Sequence, residues 1–207
     1  QVASATAANL VKCQLEMGSK NALIVAADAN LEVAVNAAFV GAYSGTGQKC
    51  TASSRLIVDA SIYDEFVAKL GEKLSATRVG HALEDSVDMG PIASEEQLEA
   101  NLAWIQRGLE EGAQLVQGGE RISLDKPGYY MSPALFVDTD NAMAINREEL
   151  FAPIASVIKA NDYEHALEIL NDTEFGLTAG IITQSLALAM DFKKRAVSGC
   201  VMVNLPT

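Results

Sequence analysis

Cys50 lies in the run Gly47-Gln48-Lys49-Cys50-Thr51-Ala52-Ser53-Ser54-Arg55, directly after the Gly-rich stretch Ser44 to Gln48. A free cysteine most often serves as a small buried hydrophobe. Gln48, Lys49, Thr51 and Ser53 are poor neighbours for that role. A positive charge and the backbone N–H groups of a turn would instead stabilise negative charge on a sulfur or on an oxyanion formed beside it. The chemistry this points to is covalent catalysis, in which a thiolate attacks an electrophilic carbon and the intermediate is resolved in a second step. A carboxylate for such a step stands in Leu15-Glu16-Met17-Gly18-Ser19-Lys20. Glu16 reads either as a surface or ion-paired acid or as a carboxylate facing a cleft, able to polarise a water, because a carboxylate left unpaired inside a protein is costly. Gly18 lets the backbone approach a ligand closely. Cys13 and Cys200 fall in apolar strand patterns and are expected to be buried and inert. Arg55 and Lys49 are cations that could meet a substrate carboxylate.

These residues need a scaffold, and the composition bounds it. The chain has 207 residues, 49% of them hydrophobic and 20% charged, with a net charge of −12. That is enough for one sizeable domain with a core, plus a remnant of a second. The acidic balance argues against nucleic acid or an anionic membrane as partner. There is no apolar run of transmembrane length and no signal-peptide pattern. Three widely spaced cysteines suit a reducing compartment, so a cytoplasmic location is expected; they form neither a disulfide framework nor a zinc motif. With only His81 and His165, far apart, no His-based metal site or triad is expected. Ala3 to Lys12 is small and helix-permissive, and the chain starts at Gln1 inside what already reads as a helix, so the natural N-terminus is expected upstream.

Along the chain, Cys13 to Met17 reads as a short strand, and Asn21 to Ala26 as a buried strand, an apolar run without alternation. Leu31 to Tyr43 is an apolar helix capped from Asp28 to Asn30, and Arg55 to Asp59 is a strand. Ile62, Phe66, Leu70 and Leu74 recur every four residues and predict an amphipathic helix over Ser61 to Thr77. A second amphipathic helix, Ser94 to Gly112, opens with a Ser cap and two acids and closes on Gly. Ala113 to Val116 is a strand and Tyr129 to Val137 is extended. Ile154 to Lys159, Ala179 to Thr183 and Cys200 to Asn204 are strands, separated by helices over Tyr163 to Asp172 and Leu186 to Ala196. Alternation of this kind predicts an α/β fold, a three-layer domain with a largely parallel sheet and helices on both faces.

Six short motifs in order give the chain a resemblance. Glu16-Met17-Gly18-Ser19-Lys20-Asn21 is similar to the Glu-Leu-Gly-Gly-Lys-Asn general-base motif of the aldehyde dehydrogenase superfamily, and the Gly47 to Arg55 run is similar to its nucleophile motif. Met89-Gly90-Pro91-Ile92, Glu148-Glu149-Leu150-Phe151-Ala152-Pro153, Asn171-Asp172-Thr173-x-Phe175-Gly176-Leu177 and Gly199-x-Val201-Met202-Val203-Asn204 resemble its later motifs. Within the superfamily, variants such as Tyr129-Tyr130-Met131-Ser132-Pro133-Ala134-Leu135-Phe136 and Cys200-Val201-Met202-Val203-Asn204-Leu205-Pro206-Thr207 look most like the dehydrogenases of α-ketoglutaric semialdehyde (2,5-dioxopentanoate).

The resemblance implies NAD(P)-dependent oxidation of an aldehyde to a carboxylate. Cys50 would be the nucleophile, its own N–H part of the oxyanion site, and Glu16 the base that activates water against a thioester. Glu149 would hold the nicotinamide ribose with Gly18 nearby, Phe151 would pack near the nicotinamide, and Arg55 and Asn204 would lie on the substrate side. It also implies residues 1–18 as the tail of a Rossmann-like cofactor domain, residues 19–207 as the catalytic domain, and a parent that is a homodimer or homotetramer. A family member is more than twice this long, so the piece alone is expected to fold without efficient aldehyde oxidation. Two rivals remain. One is a CoA-acylating relative, disfavoured by Glu16 because a thiol acceptor needs no water-activating base; the other is a folded module without catalysis.

Overall fold

The computed structural model describes residues 1–207. Its centre is a seven-stranded sheet of order β3-β6-β7-β2-β1-β8-β9. The strands are β1 (Asn21–Val25), β2 (Ser53–Asp59), β3 (Gln114–Gln117), β6 (Ala134–Val137), β7 (Ile154–Ala160), β8 (Thr178–Ile182) and β9 (Cys200–Val203). Every pairing is parallel except β3 with β6. A separate ribbon pairs β4 (Arg121–Ile122) with β5 (Tyr130–Met131).

Central strands of such a sheet are covered on both faces, and that is why they read as unbroken apolar runs. Leu23 and Val25 of β1 join Leu56 and Val58 of β2 in one core, packed under α2 (Leu31–Tyr43) and α3 (Tyr63–Ser75). Ala22, Ile24 and Ile57 point the other way, into a core shared with α6 (Tyr163–Asn171) and with Phe192 of α7 (Leu186–Arg195). A third core gathers Leu98 and Ile105 of α4 (Glu95–Glu110) against Phe136, Ile145, Leu150 and Ile154. Helix, sheet and helix form the three layers that the alternation predicts.

Caps fix where several helices begin. The side chains of Asn30, Ser94, Asp162 and Ser185 accept from the backbone N–H three residues on. Each such cap contributes about 1 kcal/mol.

Two expectations fail here. Residues 13–17 form no strand, and Leu15 and Met17 are exposed, because no strand of this chain lies beside them to pair with. Residues 1–18 carry only a one-and-a-half-turn helix, α1 (Val2–Ala7), and no buried residue; packing begins at Ser19. Cys13 and Cys200 are not buried but exposed. Cys13 lies in that unpaired stretch, and Cys200 opens β9, an edge strand with one covered side.

Candidate active site

Three segments meet at the amino ends of adjacent strands: residues 18–20 before β1, residues 44–52 before β2, and residues 148–153 before β7. Between α2 and β2 the chain makes a tight turn in which Gly45, Thr46 and Gly47 all have positive φ, 63°, 61° and 65°. Glycine is needed at Gly47 for a second reason: a Cβ there would fall 2.1 Å from the carbonyl oxygen of Ala152. The turn that carries the cysteine therefore lies directly against the Glu148–Pro153 segment. Phe151 in that segment also has a positive φ, 54°, and its ring is part-exposed. Ser19, Lys49, Ala52, Glu149 and Phe151 line the small cleft between the segments.

Cys50 is exposed at the tip of a turn closed by the Ala52 N–H donating to Lys49 O at 3.0 Å. Its carbonyl is pinned from below. Ser19 Oγ donates to Cys50 O, and Asn21 Nδ2 donates to the carbonyls of Cys50 at 2.9 Å and Ala52 at 3.0 Å. Asn21 is held in turn by the Thr178 N–H, which donates to its Oδ1 at 3.0 Å. With the carbonyl tied down, the N–H groups of Cys50 and Thr51 have no protein acceptor. Free donors beside an exposed thiol are what an oxyanion would need. On the far side Thr207 Oγ1 donates to Thr51 O at 2.8 Å and also contacts Ser53 Oγ.

Glu149 and Gly18 come together. The Ser19 N–H donates to Glu149 Oε1 at 2.9 Å, and a Cβ on Gly18 would meet Oε2 at 2.3 Å. A side chain at Gly18 would displace the Glu149 carboxylate, and Oε2 has no protein donor. Glu16 stands apart: it is exposed, and its one partner is Gln14, whose Nε2 donates to Oε1 at 2.9 Å. No hydrogen bond joins it to Cys50.

Of the two residues expected on the substrate side, Arg55 is corrected, while Asn204 is exposed. Arg55 is 1% exposed and does not face the cleft. Its Nε donates to Lys20 O, Nη1 to Asn141 Oδ1 and Ile169 O, and Nη2 to Leu170 O, all within 3.1 Å. It is a buried brace between β2 and the end of α6, and burial lowers its pKa to about 10. Asn204, with φ 56°, ends β9 and exchanges hydrogen bonds of 3.0 Å with the backbone of Thr183. It closes a turn that sends residues 205–207 back over Gly180, toward the cysteine turn.

Sequence reasoning missed Ser19, Asn21 and Lys20 as parts of the site. Ser19 and Asn21 are short polar residues at the entrance to a buried strand, a place where polar side chains need a purpose, and that was the available signal. Lys20 is 2% exposed, and burial, then the Arg55 charge, pull its pKa from 10.5 to about 7, against the opposing pull of Glu149 and Glu148.

An open, mostly parallel α/β sheet with an exposed cysteine in the turn before one strand, and a glutamate latched before another, defines a cysteine-centred cleft on an α/β catalytic scaffold. The chain belongs to the aldehyde dehydrogenase family, whose model matches residues 1–207. It is 43% identical over 205 residues to an α-ketoglutaric semialdehyde dehydrogenase of Bacillus subtilis, covering 98% of this chain and 42% of that protein. It is 38% identical over 198 residues to a 2,5-dioxopentanoate dehydrogenase of Saccharolobus solfataricus, covering 96% and 41%. Among solved structures, the NAD+ complex of an aldehyde dehydrogenase from Bacillus cereus superposes with a TM-score of 0.92 at 32% identity, over 100% of this chain and 42% of that one. The chain therefore spans about two-fifths of the length of the relatives it matches.

Proposed function

We propose that this chain is the cysteine-bearing part of an NAD(P)-dependent aldehyde dehydrogenase, with α-ketoglutaric semialdehyde as substrate. The observation that carries this reading is the Cys50 turn: an exposed thiol, its carbonyl tied down by Ser19 and Asn21, and two N–H groups left free. Cys50 adds to the aldehyde carbon, and the Cys50 and Thr51 N–H groups hold the resulting oxyanion. A nicotinamide, when bound, would supply the hydride acceptor that lets the Cys50 adduct become a thioester. Glu16 takes a proton from the water that attacks this thioester, and the carboxylate is released.

The residues present suit the nicotinamide end of the cofactor. Glu149 offers Oε2 as an acceptor for a ribose hydroxyl, and Phe151 is an exposed ring in the same segment. Residues 1–18, which bury nothing here, are assigned to the end of a cofactor-binding unit. The substrate is supported by the two dicarbonyl-acid dehydrogenases among the relatives.

The test uses the protein at the full length of its relatives. Aldehyde-dependent reduction of NAD or NADP is measured with α-ketoglutaric semialdehyde, with and without CoA, for wild type and Glu16→Gln. The variant is expected to keep a first-turnover burst of reduced cofactor while steady turnover falls about 10²–10⁴-fold. A lost burst with fast deacylation would remove Glu16 from this role. An acyl-CoA product would transfer the reading to the CoA-acylating class.

A further inference from the structure

The amino end of α4 reaches both loops of the cleft. The Ala93 N–H, just before the helix, donates to Gln48 Oε1 beside the cysteine at 3.1 Å. Within the first turn, Gln97 Nε2 donates to Leu150 O at 3.1 Å and to Asn101 Oδ1 at 2.7 Å. Gln97 and Asn101 are four residues apart, so they share one face of the helix. Leu150 O can only accept, so it needs the NH2 end of the Gln97 amide, and the second N–H of that group then goes to Asn101 Oδ1. This choice leaves Asn101 Nδ2 turned away. Asn101 is fully buried, and its Nδ2 is a donor without a protein partner. An apolar residue would fill that place in α4 more cheaply, so the amide is there for its oxygen. Leu150 O belongs to the peptide plane that leads into Phe151, and the orientation of that plane sets the φ of Phe151. That φ is 54°, a sparsely populated conformation for a bulky residue, which persists only where the surroundings impose it.

We propose that Gln97 and Asn101 are positioning residues for the nicotinamide end of the cofactor site: Asn101 aims the Gln97 amide, and Gln97 clamps the Leu150–Phe151 peptide so that Phe151 keeps its positive φ and its ring stays at the cleft. The clamp works with two others on the same segment. Glu149 is tied to the Ser19 N–H at 2.9 Å, and Pro153 O accepts from the Ala134 N–H at 2.8 Å. Leu150 and Ala152 are buried on either side of Phe151, which is 39% exposed. The chain is therefore anchored before and after Phe151, and the bond from Gln97 decides which way the peptide between them faces. The role toward the cofactor rests on the reading of Glu149 and Phe151 given above, whereas the clamp on the Phe151 backbone does not.

The test uses the protein at the full length of its relatives, with Gln97→Met and Asn101→Leu, and with Glu149→Gln and Phe151→Leu as references. In the absence of cofactor, a crystal structure of Gln97→Met should show Phe151 at negative φ or the backbone of residues 149–151 in more than one conformation. A single conformation with the wild-type φ overturns the clamp. In steady-state kinetics Gln97→Met should raise KM for the nicotinamide cofactor about 3–10-fold, the equivalent of about one hydrogen bond, with KM for the aldehyde within about twofold of wild type. Asn101→Leu separates positioning from packing. It removes a buried donor that has no partner, so Tm should hold or rise, yet the Gln97 amide loses the acceptor that aims it, so cofactor KM should rise as in Gln97→Met. A fall in Tm, or an unchanged cofactor KM, overturns the role of Asn101. An unchanged cofactor KM in Gln97→Met, where Glu149→Gln raises it, overturns the role of Gln97. If neither Glu149→Gln nor Phe151→Leu alters cofactor KM, the assignment of this segment to the nicotinamide fails instead, and the crystal structure of Gln97→Met still decides the clamp.

Discussion

The two rims of the sheet are built differently. At the amino ends of β1, β2 and β7 the chain is tight: three consecutive residues of positive φ, a glycine pressed on a carbonyl, and carbonyls pinned by serine and asparagine side chains. At the carboxyl ends there are two open hollows of ≈ 360 and ≈ 380 Å³. Several of their acids serve local structure. Asp162 caps α6, Asp59 accepts from the Ser61 N–H, Asp140 from Ala142, and Asp28 from Gln184 and the Thr183 hydroxyl. Open α/β sheets usually bind ligands in the crevice at the carboxyl ends of their strands. Here two of the three larger spaces lie at that rim and a third, of ≈ 370 Å³, lies among residues 78–87 and 124–126 beyond α3, while the residues able to do covalent chemistry lie in the tight cleft at the amino ends. Space alone is therefore a poor guide to the site in this fold; convergent, pre-positioned polar groups are the better one.

The comparison can be broken or sharpened by substitution. The largest effect on stability is expected at Arg55, which serves the amino rim as a brace. Arg55→Met strips donors from Lys20 O, Asn141 Oδ1, Ile169 O and Leu170 O. A loss of about 3 kcal/mol in urea denaturation is expected, since buried acceptors are left unpaired. A near-neutral result would return Arg55 to the pool of residues available for substrate.

Next comes Gly47→Ala. A side chain at φ 65°, aimed at Ala152 O, is expected to remove about 1–3 kcal/mol of stability and to disturb Cys50 labelling at the same time. An effect on stability with unchanged labelling would separate the turn from the thiol it carries.

A third measurement is the pH dependence of stability. The folded pKa of Lys20, about 7, lies below its ordinary 10.5. Between these values the unfolded chain binds the extra proton, so this lysine makes stability rise with pH across that window, by at most about 1.4 kcal/mol per unit. Below pH 7 its full unfavourable contribution is present; above 10.5 it is gone. The difference between wild type and Lys20→Met in denaturation midpoints from pH 7 to 10 should show this slope, and parallel curves would refute it. Burial sets most of the shift; of the neighbouring charges Arg55 adds to it and Glu149 and Glu148 oppose it, and all three remain in the variant.

The smallest effect belongs to the other rim. Asp162→Ala removes the cap on the His165 N–H and should lower stability by about 1 kcal/mol while leaving Cys50 labelling unchanged. A change in labelling would mean that the rims are coupled through the sheet.

What the sequence made legible followed from local physics. The runs at β1, β2, β7 and β8 are apolar because both their faces are covered, and the caps at Asn30 and Ser94 mark where helices open. The cysteine turn was legible from its glycines and polar neighbours. What stayed hidden depends on distant parts of the chain. Arg55 has the chemistry of a surface cation, and its burial follows from carbonyls more than a hundred residues away at the end of α6. Cys200 sits in an apolar pattern, yet β9 is an edge strand. Glu149 and Gly18 were linked only through the resemblance, because nothing local to either announces a contact across 130 residues between Glu149 and the adjoining Ser19.

The contact between Gly47 and Ala152 carries a consequence for engineering. The two loops share one interface with no room for even a methyl group, so neither is an independent module. Transplanting the cysteine loop from a relative to change specificity, while leaving residues 148–153 native, would join surfaces that were never fitted to each other. Chimeras that exchange the two segments together should fold and express; single-loop exchanges should fail even when every catalytic side chain is kept.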